Sequence, residues 1–201
     1  MERYSRITRM AITALGCLIL GCGIGLCDHA GLGTDPFTVL LVGMQVQLGG
    51  TVGTLNLIVC LIMLVIAWLT DRKLISLISF LAVVCSSAGI DLMGMVFPGR
   101  SVALLPSILF LGAGELLYSF GTAVAIVPEA GMDAYNAFLT SVSQLLHCSY
   151  KAARWGVEAV FLIGGFLLGG IVGAGTVVSL ILTAPLVEWI ANHLRQWLIS
   201  R

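Results

Sequence analysis

Long apolar stretches separated by short polar breaks dominate the chain. Six of them reach the roughly 20 residues that a helix needs to cross a bilayer core about 30 Å thick: residues 9–27, 52–70, 74–96, 103–126, 152–171 and 173–194. Two more, Pro36 to Leu48 and Ala134 to Leu146, hold only 13 residues each. At about 1.5 Å per residue that is some 20 Å of helix, too short for the same core. The pattern predicts an all-α polytopic membrane protein of about six transmembrane helices plus two short ones, in a single membrane domain over residues 1–201.

The two short segments open alike, Gly33-Thr34-Asp35-Pro36 in one and Gly131-Met132-Asp133-Ala134 in the other. An Asp at the N-cap accepts a hydrogen bond from a free N–H of the first turn, and Pro suits the first helical position. A shift of 98 residues superposes these starts. It also sets Gly16 on Gly114, Gly23 on Gly121, Thr51 on Ser149 and Asn56 on Arg154, while a shift of 97 sets Asp91 on Glu188. The chain therefore reads as two repeated halves, about 9–97 and 103–195, each of three long helices and a short one. Chance matches among Gly and Leu are common, so the paired Gly-x-Asp starts carry most of the weight.

Positive charge bears on topology. If the short segments dip in and return, Arg3, Arg6, Arg9, Arg72, Lys73, Lys151, Arg154, Arg195 and Arg201 lie on or near one side and Arg100 alone on the other; if they cross, the division is eight against two. Cytoplasmic loops carry the excess of Lys and Arg, which favours the re-entrant arrangement by a narrow margin. Both termini are then cytoplasmic. Three crossings per half reverse the chain, so the halves are inverted, as in many transporters.

Composition agrees with the membrane reading. The chain is 59% hydrophobic and 10% charged, with a mean hydropathy of +1.06, whereas soluble domains are about 25% charged. Ten Lys and Arg balance ten Asp and Glu, leaving no basic excess for nucleic-acid phosphates. Six cysteines show neither C-x-x-C nor Cys/His zinc spacing and read as small buried hydrophobes. No metal or cofactor is expected. The N-terminus resembles a signal peptide superficially, but no small-x-small cleavage site follows and Asp28-His29 interrupts its place, so an uncleaved first helix is expected.

Charged groups inside a span cost about 2.5 to 3.5 kcal/mol each on insertion scales and so call for a partner or a function. Glu115, among small residues in Gly112-Ala113-Gly114-Glu115, and Glu158 are the clearest cases. Arg154 lies four residues before Glu158, and the two can neutralise each other on one helix face. Asp35 and Asp133 sit at N-termini whose free N–H groups and positive dipole would face an enclosed ligand; the alternative is that both are simply caps. Asn56, Asn136 and Tyr135 suit either substrate contact or bonding between helices. Asp91 and Glu188 read as solvated ends, and His29, His147 and His193 as interfacial. Gly165, Gly169 and Gly173, like Gly21 and Gly25, have the spacing of closely packed helices, within the bundle or between subunits. No G-x-S-x-G, Walker A, H-E-x-x-H or G-x-G-x-x-G motif stands in a suitable setting, so no enzyme activity is expected.

The run Gly31-Leu32-Gly33-Thr34-Asp35-Pro36-Phe37, followed by Gly50-Thr51-Val52-Gly53, resembles the signature of the YczE/YyaS/YitT group of bacterial integral membrane proteins. Gly169-Gly170-Ile171-Val172-Gly173-Ala174-Gly175-Thr176, with Pro185 nine residues later, is similar to that group's C-terminal pattern. The likeness extends over nearly the whole chain. It implies a bacterial cytoplasmic-membrane protein of poorly defined activity. The second half departs from the first, with Met132 and Ala134 where a repeat of Thr-Asp-Pro would have Thr and Pro.

The leading expectation is a transporter or permease for a small solute, with Asp35 and Asp133 facing each other near mid-membrane and Glu115 and Glu158 as proton or cation coupling groups. Asn56 and Arg154 complete the candidate site. One alternative is a non-transporting membrane partner, either the substrate-binding subunit of a larger importer or an assembly factor. Another is an intramembrane enzyme built on His147 and Cys148. A homodimer or a larger complex is compatible with each.

Overall fold

A computed structural model describes residues 5–101, 103–129 and 131–199. Arg3 and Arg201, two of the charges weighed above, lie outside the described residues. Among the described residues eight α-helices follow one another: α1 (Arg6–Ala30), α2 (Pro36–Leu48), α3 (Val52–Thr70), α4 (Leu77–Val96), α5 (Leu104–Ile126), α6 (Ala134–Leu145), α7 (Tyr150–Leu167) and α8 (Ala174–Ile199). A 3-10 turn, Arg72–Leu74, precedes α4, and no strand occurs among the described residues.

The start signals of the short helices act as expected. Asp35 accepts from the Thr38 N–H with Pro36 at the first position, and Asp133 accepts from the Asn136 N–H, both at 3.2 Å. Other boundaries move for local reasons. The apolar run 74–96 begins its helix only at Leu77, because Ser76 and Ser79 form a reciprocal cap that starts α4 there. The run 152–171 becomes Tyr150–Leu167, because Gly169 takes φ +94°, a left-handed conformation that ends the helix.

Among the described residues five helices, α1, α3, α4, α5 and α8, are long and apolar enough to cross a membrane. The sixth expected span, α7, is not among them: its 18 residues include Lys151, Arg154 and Glu158. Large apolar side chains such as Leu69, Leu109 and Phe166 stand exposed on the outside of the bundle, where lipid rather than water solvates them without an energetic penalty.

The helix ends sort into two groups. At one end of the bundle, His29 and Asp28 of α1 bond the loop after α4: His29 Nδ1 lies 2.7 Å from Gly99 O, and Arg100 pairs with Asp28 at 2.9 Å. Asp91 of α4 accepts there from Thr51 Oγ1 and Gly53 N–H at the start of α3, at 3.0 and 2.9 Å. At the other end, Arg9 of α1 donates to Pro128 O and Glu129 O just after α5, and Ala191 of α8 packs on Ala123 and Val127. Helices α1 and α5 run antiparallel in the most extensive packing of the molecule. Helix α1 also lies close along α4, where a Cβ on Gly21 would fall 2.1 Å from Ser86 O. The expected Gly spacings thus serve contacts inside the chain.

Candidate functional site

The two short helices meet at their first turns. Phe37, second residue of α2, packs in one cluster with Ile24, Leu41 and Ile90 and in another with Cys60, Leu64, Val83 and Ala134, the first residue of α6. The Phe37 ring lies 5.8 Å from that of Tyr135 and 5.6 Å from that of Phe161 on α7, and Tyr135 lies 6.4 Å from Phe161. These tilted pairs tie α2, α6 and α7 together at the level of Cys60 and Leu64, halfway along α3. Phe37 stands in the sequence only as the end of the Gly31–Phe37 run and Phe161 carries no signal there, because contact between the halves leaves no local pattern.

Each capping Asp carries a second bond that fixes its rotamer. Asp35 Oδ2 accepts from Thr38 Oγ1 at 2.6 Å. Asp133 Oδ1 accepts from Asn136 Nδ2 at 2.5 Å, and Asn136 Oδ1 in turn accepts from Tyr150 Oη at 2.5 Å. Asp35 and Asp133 are both half-buried. Asp35 and Asp133, one at the first turn of each short helix, are the expected site residues that this junction brings together. No Lys or Arg pairs with Asp35, Asp133 or Glu115 among the described residues.

Glu158 accepts from Arg154 Nε at 2.8 Å along its own helix, with the Arg side chain half exposed and the Glu side chain 12% exposed. That is the neutralising pair that the spacing allowed. Asn56 stands apart from the carboxylates: it donates to Ser87 Oγ at 2.9 Å and to Ser86 Oγ at 3.4 Å, both on α4, and accepts from Cys60 Sγ. It joins α3 to α4. Asn136 is likewise occupied by Asp133 and Tyr150.

Glu115, at the middle of α5, is 7% exposed. Its carboxylate accepts from Ser179 Oγ and, at 3.0 Å, from Thr183 Oγ1, both on α8. Asp91, expected as a solvated end, instead holds the start of α3; the partner lies some 40 residues away in sequence, so the helix pattern could not reveal it. Glu188 is exposed. His147 has φ +50° in the turn after α6, and the backbone N–H of Cys148 donates to Ser143 O.

Residues 7–192 match the model of a family of unknown function, DUF6198. The chain belongs to this family. Its relatives include an uncharacterised protein of Haemophilus influenzae, 32% identical over 91% of this chain and 83% of its own length. YyaS of Bacillus subtilis is 29% identical over 87% and 88%, and the membrane protein YczE of the same organism 22% identical over 91% and 85%. This bears out the YczE/YyaS resemblance. No solved structure matches the chain. Together with its apolar helices, the likeness to YczE makes this DUF6198 chain an integral membrane protein.

Proposed function

We propose that the protein is a small-solute secondary transporter of the bacterial cytoplasmic membrane, built from two inverted halves whose short helices are re-entrant. The observation that carries this reading is the meeting of the two capped first turns, Asp35-Pro36-Phe37 and Asp133-Ala134-Tyr135, at the level of mid-span residues of α3. Helix N-termini at that depth direct free N–H groups and positive dipole towards an enclosed ligand.

The placement of helix ends supports the inverted topology. Helix α1 ends and α3 begins at the same end of the bundle, so α2 between them makes no net crossing; α5 ends beside the start of α1, and Gln47 of α2 donates to Leu168 O just past α7. Helix α7 then serves as the sixth crossing, its charged first turns at the cytoplasmic surface with Lys151 and Arg154. Both termini lie on that side, and Arg100 alone on the other. In this reading the halves take turns: one opens its pair of outer helices to solvent while the other holds its pair shut, and the carboxylates at the junction are reached from alternate sides.

Single cysteines at Gln47 and Gly99, in a background lacking the native six, test the topology in whole cells. Labelling of both from outside supports it; labelling of Gln47 from the cytoplasm removes it. Function is tested in proteoliposomes by uptake across a panel of labelled small solutes. Transport that is lost in both Asp35→Asn and Asp133→Asn, with folded protein retained, supports the reading, and transport unchanged in both variants overturns it.

A further inference from the structure

Glu115 is a carboxylate at mid-span whose partners are hydroxyls alone, and its surroundings have the makings of an ion site. Ser179 Oγ and Thr183 Oγ1, one turn apart on α8, both reach the Glu115 carboxylate, which is 7% exposed; Ser179 is 3% exposed. One turn further along α5, on the stripe that faces α8, stands Ser119. The stripe is marked by Glu115 at one end, bonded to α8, and by Ala123 at the other, packed on Ala191 of α8. Ser119 between them is 0% exposed, and its Oγ has no hydrogen-bond partner among the described residues.

Both features ask for the same thing. An ionised carboxylate in the membrane interior without a basic partner is costly, and a buried hydroxyl left unbonded costs about 1 to 3 kcal/mol. A proton on Glu115 would relieve the first and leave Ser119 as it is. A small monovalent cation relieves both, because the hydroxyl oxygens keep lone pairs free for a cation while their hydrogens point to the carboxylate. Oxygen donors with no nitrogen or sulfur among them are the ligand set of a hard cation, and a single carboxylate balances a single charge.

We infer that Glu115, Ser119, Ser179 and Thr183 form a binding site for a sodium ion between α5 and α8. In the transport reading this would be the coupling ion, but binding does not rest on any transport assay. A protein that binds sodium and moves no solute loses the transport reading and keeps this one.

The test is thermal unfolding of the purified full chain in detergent micelles at fixed pH and ionic strength, with sodium chloride replacing choline chloride. A ligand that binds only the folded state raises its stability with concentration, so the wild type is expected to show a saturable rise in Tm with sodium. Glu115→Gln is expected to abolish the rise. Ser119→Ala is the sharper variant, since removing an unbonded hydroxyl leaves the fold intact or slightly more stable; it is expected to need about tenfold more sodium for the same rise, a loss of about 1.4 kcal/mol of binding. A rise unchanged in Glu115→Gln or in Ser119→Ala overturns the site. So does a wild-type Tm that follows pH and ignores sodium, which would assign a proton to Glu115 instead.

Discussion

Helices α3 and α4 lie against each other along their length, whereas α7 and α8, placed at the equivalent positions by the 98-residue shift, scarcely touch. The difference is written in a few side chains. At the α3 contact Gly53 brings the backbone onto Asp91 and Ser87, Asn56 bonds Ser86 and Ser87, and Thr51 bonds Asp91. The second half has Ser149 for Thr51, Lys151 for Gly53 and Arg154 for Asn56 and, at the 97-residue shift that sets Asp91 on Glu188, Thr183 and Ala184 for the two serines. Lys151 denies α8 the close approach that Gly53 grants α4, and Arg154 turns to Glu158 on its own helix. Helix α7 packs on α2, where Gly43 and Gly165 let the backbones meet, just as α3 packs on α6. Identical helix order thus yields a clamped pair in one half and a parted pair in the other.

The largest effect is expected at the α7–α2 contact. A Cβ on Gly165 would fall 2.6 Å from Leu40 N and Val39 C, both backbone atoms that cannot yield cheaply, while a Cβ on Gly156 of the same helix meets nothing within 4 Å. Gly165→Val should cost about 3 kcal/mol or more through overpacking, seen as a collapse of the monodisperse peak on size-exclusion chromatography. Gly156→Val should stay within about 0.5 kcal/mol of the wild type. Equal behaviour of the two would mean that α7 does not lean on α2.

Much of this was legible from local pattern. The two Gly-x-Asp starts placed both short helices, and the apolar runs placed the long ones to within a few residues, because caps and membrane spans are dictated by neighbours in sequence. Five of the six expected spans have the length and composition of one; α7 carries three charges that its apolar second half had masked. What sequence could not show depends on distant partners. Asn56 was assigned to the candidate site and proves to be a tie between α3 and α4, since nothing near it foretold Ser86 and Ser87 opposite. The contact between the rings of Phe37 and Phe161 leaves no local signal for the same reason, and no motif marks Ser119.

A middle-sized effect separates the clamp from its counterpart. Asn56 and Ser87 share a bond across two helices, and such bonds in membrane bundles average about 0.6 kcal/mol and reach about 1.7. A double-mutant cycle of Asn56→Ala with Ser87→Ala, read by thermal unfolding in detergent, should give a coupling of about 1 kcal/mol. The cycle of Arg154→Ala with Glu188→Ala should give none within about 0.3 kcal/mol, as for residues with no shared partner. Coupling at the second pair would show α7 and α8 already closed.

The smallest stability effect is expected at Glu188, and there the comparison is most sharply posed. Asp91→Asn weakens a carboxylate that holds Thr51 Oγ1 and Gly53 N–H, a cap-like interaction that costs about 1 kcal/mol to lose. Glu188 is exposed, as is Lys151, so Glu188→Gln should change stability by less than about 0.5 kcal/mol. If the halves exchange roles during transport, however, α8 must close on α7 as α4 closes on α3, and Glu188 would then meet Ser149 and Lys151. Cysteines at Thr51 and Asp91, in a background lacking the native six, should cross-link readily with copper phenanthroline. Cysteines at Ser149 and Glu188 should cross-link more slowly, at a rate set by visits to the exchanged state. No cross-link at Ser149 and Glu188 in reconstituted vesicles, beside full cross-linking at Thr51 and Asp91, would mean that the difference between the halves is permanent, and alternating access by exchange of the two halves would fall with it.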